Sequence, residues 1–197
     1  GQDDFLLLLT TQMTHQDPTK PMENGDFLAQ MAQFGTVEGI NGLQDSFQEF
    51  AGSITSNQAL QAAGLIGKSV EFPGDAAHLD LTRPLSGSFE LETSASQVSV
   101  DIVGENGEVV KTLDFGTQSA GNTKFSWDGL KDDGSYATPG MYTLRAQANI
   151  GGVNTALVTS VSAKVDSVDL GNGQEGIALN LGEAGRVNFN QVKQILS

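Results

Sequence analysis

Near residue 65 the spacing of apolar side chains changes period, and a chain that does this must join helical structure to sheet. Before that point apolar residues recur at three- and four-residue steps: Phe27, Met31, Phe34, then Ile40, Leu43, Phe47, Phe50 and Ile54. The second set steps 3, 4, 3, 4, which is the a/d seam of a helix that packs on another helix. Gly35, Gly39, Gly42 and Gly52 lie within or beside it, and each interior glycine costs a helix about 1 kcal/mol relative to Ala. Such helices are expected to be weak alone and stabilised by contact. Upstream, Pro18, Pro21 and the Asn24-Gly25 pair break the helical pattern. They predict a tight elbow between a first helix and a second.

From Gly67 onward the period is two and β-branched residues dominate, as in Val98, Val100 and Ile102 with polar residues between them. These read as half-buried strands. Asn106-Gly107 is the dipeptide that supplies the positive φ angles of a two-residue hairpin. Asp128-Gly129, Asp133-Gly134 and Pro139-Gly140 punctuate the next stretch, which carries Phe125 and Trp127 before the turns and Tyr142, Leu144 and Ala146 after them. Short strands at this spacing predict a sandwich across residues 84–149, with Trp127 and Tyr142 in its core. Further strands are expected at residues 153–165, 177–181 and 186–189, split by glycines in the manner of a small barrel. Ile66, Val70 and Phe72 are expected to line that barrel's core.

The reagents of most catalytic repertoires are missing. There is no cysteine, so disulfides, zinc ribbons and thiolate chemistry are excluded, and His15 and His78 are the only histidines. A net charge of -14 repels phosphate backbones and anionic lipid, so no nucleic-acid partner is expected. The run Phe5 to Leu9 is far shorter than the roughly 18 apolar residues of a membrane span. It also follows Asp3 and Asp4, where a secretory signal would carry basic residues. A soluble chain without membrane insertion is expected.

Two motifs invite sharper readings. Residues 62–69 end like the phosphate-binding loop G-x-x-x-x-G-K-[ST], but Ala62 replaces its first glycine and a helical stretch precedes it where a strand should. The Asp-rich turns at 128–134 and 166–173 offer hard oxygen ligands but miss the calcium-loop spacing, and hairpin turns explain them more simply. Glu90 and Glu92 read as a solvated edge, and His15 as an exposed helix residue. No nucleophile elbow or metalloprotease motif occurs. Neither cofactor nor metal is expected.

The first 40 residues carry a longer signal. Phe5, Leu6, Leu8 and Leu9, then Gln12, Gln16, Asp17, Pro18, Pro21 and Met22, then Phe27, Ala29, Gln30, Ala32, Gln33, Phe34, Thr36, Val37 and Glu38 form a pattern that closely resembles the N-terminal segment of the bacterial flagellar hook-capping family. That family is also called hook scaffolding or basal-body rod modification. Departures are Gly39, where the family favours a long polar residue, and Gly25 before Asp26. The segment from Leu65 to Val70 looks like the family's entry to its β region, and Trp127-Asp128-Gly129 followed by residues 136–142 looks like its Ig-like domain.

The resemblance implies a mainly β fold behind an α-helical segment. Residues 1–62 would be the helical assembly and export segment, residues 65–83 with 150–197 a discontinuous Tudor-like (SH3-like) barrel, and residues 84–149 an inserted Ig-like sandwich. It implies a homo-oligomeric cap, with five copies as the expected number, at the distal tip of the growing hook. There it would guide exported hook subunits into place without making or breaking a covalent bond, and be absent from the finished flagellum. The partners implied are hook protein subunits, the flagellar export apparatus and further copies of the chain. Phe5 and Leu9 match an export-recognition element. Gln16, Asp17, Pro18, Met22, Phe27, Met31, Gln33 and Phe34, with the seam Ile40, Leu43, Phe47, Phe50 and Ile54, are the expected assembly residues. The competing reading is an extracellular adhesion module binding carbohydrate or calcium, for which the helical motif has no use. A glycosidase would need two carboxylates facing each other across a cleft.

Overall fold

In a computed structural model, the described residues are 7, 10, 11, 25–80, 82–171 and 176–196, with side chains at 25–28 excepted. The predicted elbow and the first helix lie largely outside them. Contacts divide the chain into residues 1–52 and residues 53–197.

One long helix, α1 (Gly25–Ala63), holds both apolar sets. No proline occurs between Pro21 and Pro73, and Ala, Gln, Leu and Met outnumber the glycines that weaken it. The hydroxyls of Thr36 and Ser46 donate to the carbonyls of Ala32 and Gly42, each at 2.8 Å, so they find partners within the helix. A tightened turn ends it. Leu65 N–H donates to the Ala62 carbonyl at 2.9 Å, and Gly67, at φ +83°, donates to the Val165 carbonyl at 2.8 Å. Ala62 and Leu65 are buried in the core of the second unit, but Ile66 is 52% exposed. The expectation that Ile66 lines a barrel core is therefore corrected: the turn directs Leu65 inward, while Val70 and Phe72 are buried as expected, with Glu71 buried between them.

Thirteen strands follow among the described residues: β1 (Ser69–Pro73), β2 (Ala76–Leu79), β3 (Leu85–Leu91), β4 (Ala95–Val103), β5 (Val109–Gln118), β6 (Gly121–Trp127), β7 (Gly140–Ile150), β8 (Val153–Ala156), β9 (Thr159–Lys164), β10 (Ser167–Asp169), β11 (Ala178–Asn180), β12 (Arg186–Asn188) and β13 (Gln194–Leu196). They form sheets ordered β13-β1-β9-β3-β6, β2-β7-β4-β5 with β8 on β7, and β10-β11-β12. β4 displays the period-two pattern directly: Val98, Val100 and Ile102 are fully buried, while Ser99 and Asp101 between them are half-buried. Trp127 of β6 and Tyr142 of β7 meet edge to face at 5.1 Å. Each also satisfies its polar end, Trp127 Nε1 donating to the Leu130 carbonyl and Tyr142 Oη to the Thr138 carbonyl, both at 2.8 Å. A tyrosine hydroxyl bonded to backbone a few residues upstream is a feature of Ig-like sandwiches.

Three local expectations change. The Asn106-Gly107 hairpin is longer than two residues: Gly104 and Glu108 close the loop at 2.9 Å, and only Gly107, at φ +82°, is left-handed. The expected strand across 153–165 breaks at Leu157 and Val158, because β8 pairs with β7 whereas β9 pairs with β1 and β3. Hydrogen bonding also crosses the expected limit at residue 84. β2 pairs with β7, and β9 joins β1 to β3 in one continuous sheet.

Candidate functional site

The seam residues of α1 are exposed: Phe47 and Leu43 are 72% and 71% accessible, Phe50 62%, Ile40 51% and Ile54 44%. A compact chain buries side chains of this size unless a partner does it instead. At 100° per residue, these five positions span a stripe about 80° wide. Met31, which is half-buried, and Phe34, 66% exposed, fall about 140° and about 160° from the centre of that stripe. Three successive steps of three, from Phe34 through Val37 and Ile40 to Leu43, carry the apolar track around the helix. One helix therefore presents two apolar faces.

Charge follows the same division. α1 contains no lysine or arginine. Glu38, Asp45 and Glu49 all project about 140–180° away from the seam centre. The seam is bordered by Gln44, Gln48 and Gly39 instead. A second helix can pack on it without bringing carboxylates together or burying a charge. The glycines beside it leave open space, with no atom within 4 Å of a Cβ built at Gly35, Gly39, Gly42 or Gly52.

Of the expected assembly residues, Met31, Gln33, Phe34 and the five seam positions are on α1, with Gln33 exposed. Phe27 is placed in the helix by its backbone alone. Phe5, Leu9, Gln16, Asp17, Pro18 and Met22 lie outside the described residues, as does His15.

The decoy motifs resolve into structural parts. Ala62 is fully buried at the end of α1 and Ser69 opens β1, so a helix precedes and a strand follows the loop, the reverse of a phosphate cradle. In the first acidic turn, Asp128 accepts the Leu130 N–H at 3.0 Å and Asp133 accepts the Ser135 N–H at 2.8 Å. Hydrogen bonds from Ser135 hold the pKa of the Asp133 carboxyl below its ordinary value of 3.8. Asp132 does something the sequence did not signal: its Oδ1 pairs with Lys111 Nζ at 2.8 Å and its Oδ2 accepts the Thr112 N–H at 3.1 Å, both on β5. Those bonds, Lys111 foremost, lower its pKa too. Among the described residues no group of three His, Cys, Asp or Glu side chains is arranged to hold a metal.

Comparison with known proteins gives these features a context. Residues 1–49 match the family model described as "Flagellar hook capping protein - N-terminal region", and residues 74–152 match "FlgD Ig-like domain". The second match begins at Gly74 and so takes in β2, as its pairing with β7 requires. The basal-body rod modification protein FlgD of Escherichia coli K12 is 37% identical, over 99% of this chain and 87% of its own length. The FlgD of Salmonella typhimurium LT2 is 35% identical over 99% and 86%. Among solved structures, FlgD from Xanthomonas campestris aligns with a TM-score of 0.63 at 33% identity, covering 70% of this chain and 99% of that one. FlgD from P. aeruginosa aligns at 0.60 and 34%, covering 66% and 97%.

Proposed function

The chain belongs to the flagellar hook-capping protein family, and from that premise we propose that it acts as a scaffold whose working surface is the seam of α1. Its function is hook capping and rod modification in flagellar assembly. Beyond that, we read it as a homo-oligomeric cap at the distal tip of the growing hook, pentameric by family resemblance. It would be exported through the flagellar pathway with Phe5 and Leu9 in its recognition element. It guides arriving hook subunits by non-covalent contact.

The observation that carries this reading is an a/d stripe of five large apolar residues, uncharged and exposed, on a helix whose Glu38, Asp45 and Glu49 face elsewhere. Burying a Leu, Ile or Phe is worth about 1.5–3 kcal/mol, so several together outweigh the glycine penalties and stabilise a helix–helix contact. The two faces of α1 suit a cap that must hold its neighbours and touch its client at once. The ladders β13-β1-β9 and β10-β11-β12 support reading their segments as the Tudor-like barrel. Catalysis of bond making is not part of this reading; exchange of modest contacts is.

Deleting the gene tests the function. Basal bodies purified from the deletion strain should lack hooks, and the intact gene supplied in trans should restore them. Normal hooks on the deletion strain would overturn the assignment.

A further inference from the structure

The outer edge of β5 is met by the loop at 128–134 and by no further strand among the described residues. β5 is ten residues long, lies at the end of its sheet and, among the described residues, has β4 as its one strand partner. Its sequence, V-V-K-T-L-D-F-G-T-Q, is rich in β-branched and apolar residues and carries one lysine and one aspartate, so its own charge sums to zero in a chain of net -14. An edge of that length and composition is a template for pairing with another copy of itself.

Three devices occupy it. The loop at 128–134 lies along the first half: Asp132 N–H donates to the Val110 carbonyl at 3.0 Å, Thr112 N–H donates to Asp132 Oδ2 at 3.1 Å, and Lys111 Nζ meets Asp132 Oδ1 at 2.8 Å. Farther along, a register shift opposite Val98 and Ser99 marks a bulge, with Gly116 at φ +61° and its N–H turned onto Asp114 Oδ1 at 2.8 Å. Gln118 Nε2 then donates to the Phe115 carbonyl at 2.8 Å. We propose that the 128–134 loop is an edge guard, and that without it β5 pairs antiparallel with β5 of a second copy. The guard reserves self-association for contacts made elsewhere, such as the α1 seam.

The test uses the full chain in a Phe47→Asp background, where helix-mediated association is removed, and adds Asp132→Ala or Asp132→Pro. The first loses the carboxylate and the second also loses the N–H. Hydrogen exchange at the Thr112 amide and sedimentation over a concentration series are read together, with the near-ultraviolet signal of Trp127 reporting the fold. We expect Thr112 to exchange at least tenfold faster at concentrations where the variant is monomeric, and a dimer or larger species to grow as concentration rises, more for Pro than for Ala. The proposal fails if Thr112 exchange is unchanged in a folded, monomeric variant, or if it accelerates there while the mass stays that of the parent across the whole concentration series. Because the comparison is with the Phe47→Asp parent, its outcome is independent of whether the seam builds a cap.

Discussion

Tyr142 and Gly87 show how much of the β unit rests on single positions. Tyr142 buries its ring against Trp127 and gives its hydroxyl to the Thr138 carbonyl, so Tyr142→Phe should lower stability by about 1 kcal/mol, the net value of one such bond. A denaturant titration measures it. A Cβ at Gly87 would stand 2.5 Å from the Ser160 carbonyl oxygen and 2.8 Å from the Phe125 ring. Gly87→Ala should therefore cost about 1–3 kcal/mol by the same titration, because a backbone oxygen cannot swing aside. Asp132 sets a pH dependence whose sign follows from its depressed pKa. The contribution of its bonds to Lys111 and Thr112 is complete above the ordinary value of 3.8 and is lost as pH falls through the lower folded value. Thr112 amide protection should accordingly fall below pH 3.8 in the wild type, and in Asp132→Ala it should be low throughout. The placing of Trp127 and Tyr142 in the core is legible from the turns that flank them. The partnership of Asp132 with β5 is not, since it joins residues twenty positions apart through a fold the local pattern does not encode.

Among the elements, α1 is the one whose sequence states its purpose most openly. The 3, 4, 3, 4 spacing of Ile40, Leu43, Phe47, Phe50 and Ile54 is a local property, so both the helix and its unsatisfied face are legible from residue order alone. That Met31 and Phe34 face the other way is equally local, but it emerges only once one unbroken helix fixes the angle between the two sets. Gly39 has open space where a side chain would begin. Gly39→Ala should raise the helix content of the free chain, worth about 1 kcal/mol, and strengthen assembly by preordering the seam. Circular dichroism and sedimentation check the two halves of that statement. The sheets are harder to read. Strand positions follow from alternation and turns, whereas the ladder β13-β1-β9-β3 pairs segments from both ends of the second unit, which spacing along the chain cannot specify.

For the whole molecule, we propose a division of labour: the cluster of buried residues lies within residues 53–197, and the exposed seam of α1 offers apolar surface for neighbours to cover. In a verified monomer, residues 1 to about 60 should be cleaved by a nonspecific protease well before the β unit, since the large apolar side chains of α1 from Phe34 to Ile54 are exposed. Equal resistance of both parts would show that the helix needs no partner. The absence of cysteine fits the same picture, in which folding and assembly rely on burial and hydrogen bonds alone. The most direct test replaces Phe47, 72% exposed at the centre of the seam, with Asp. Basal bodies from cells making Phe47→Asp, with the variant exported at wild-type levels and its β unit melting at the wild-type temperature, are scored for hooks by electron microscopy. The account predicts basal bodies without hooks, because a charge in the seam prevents the helices from packing; hooks of normal number and length would contradict it.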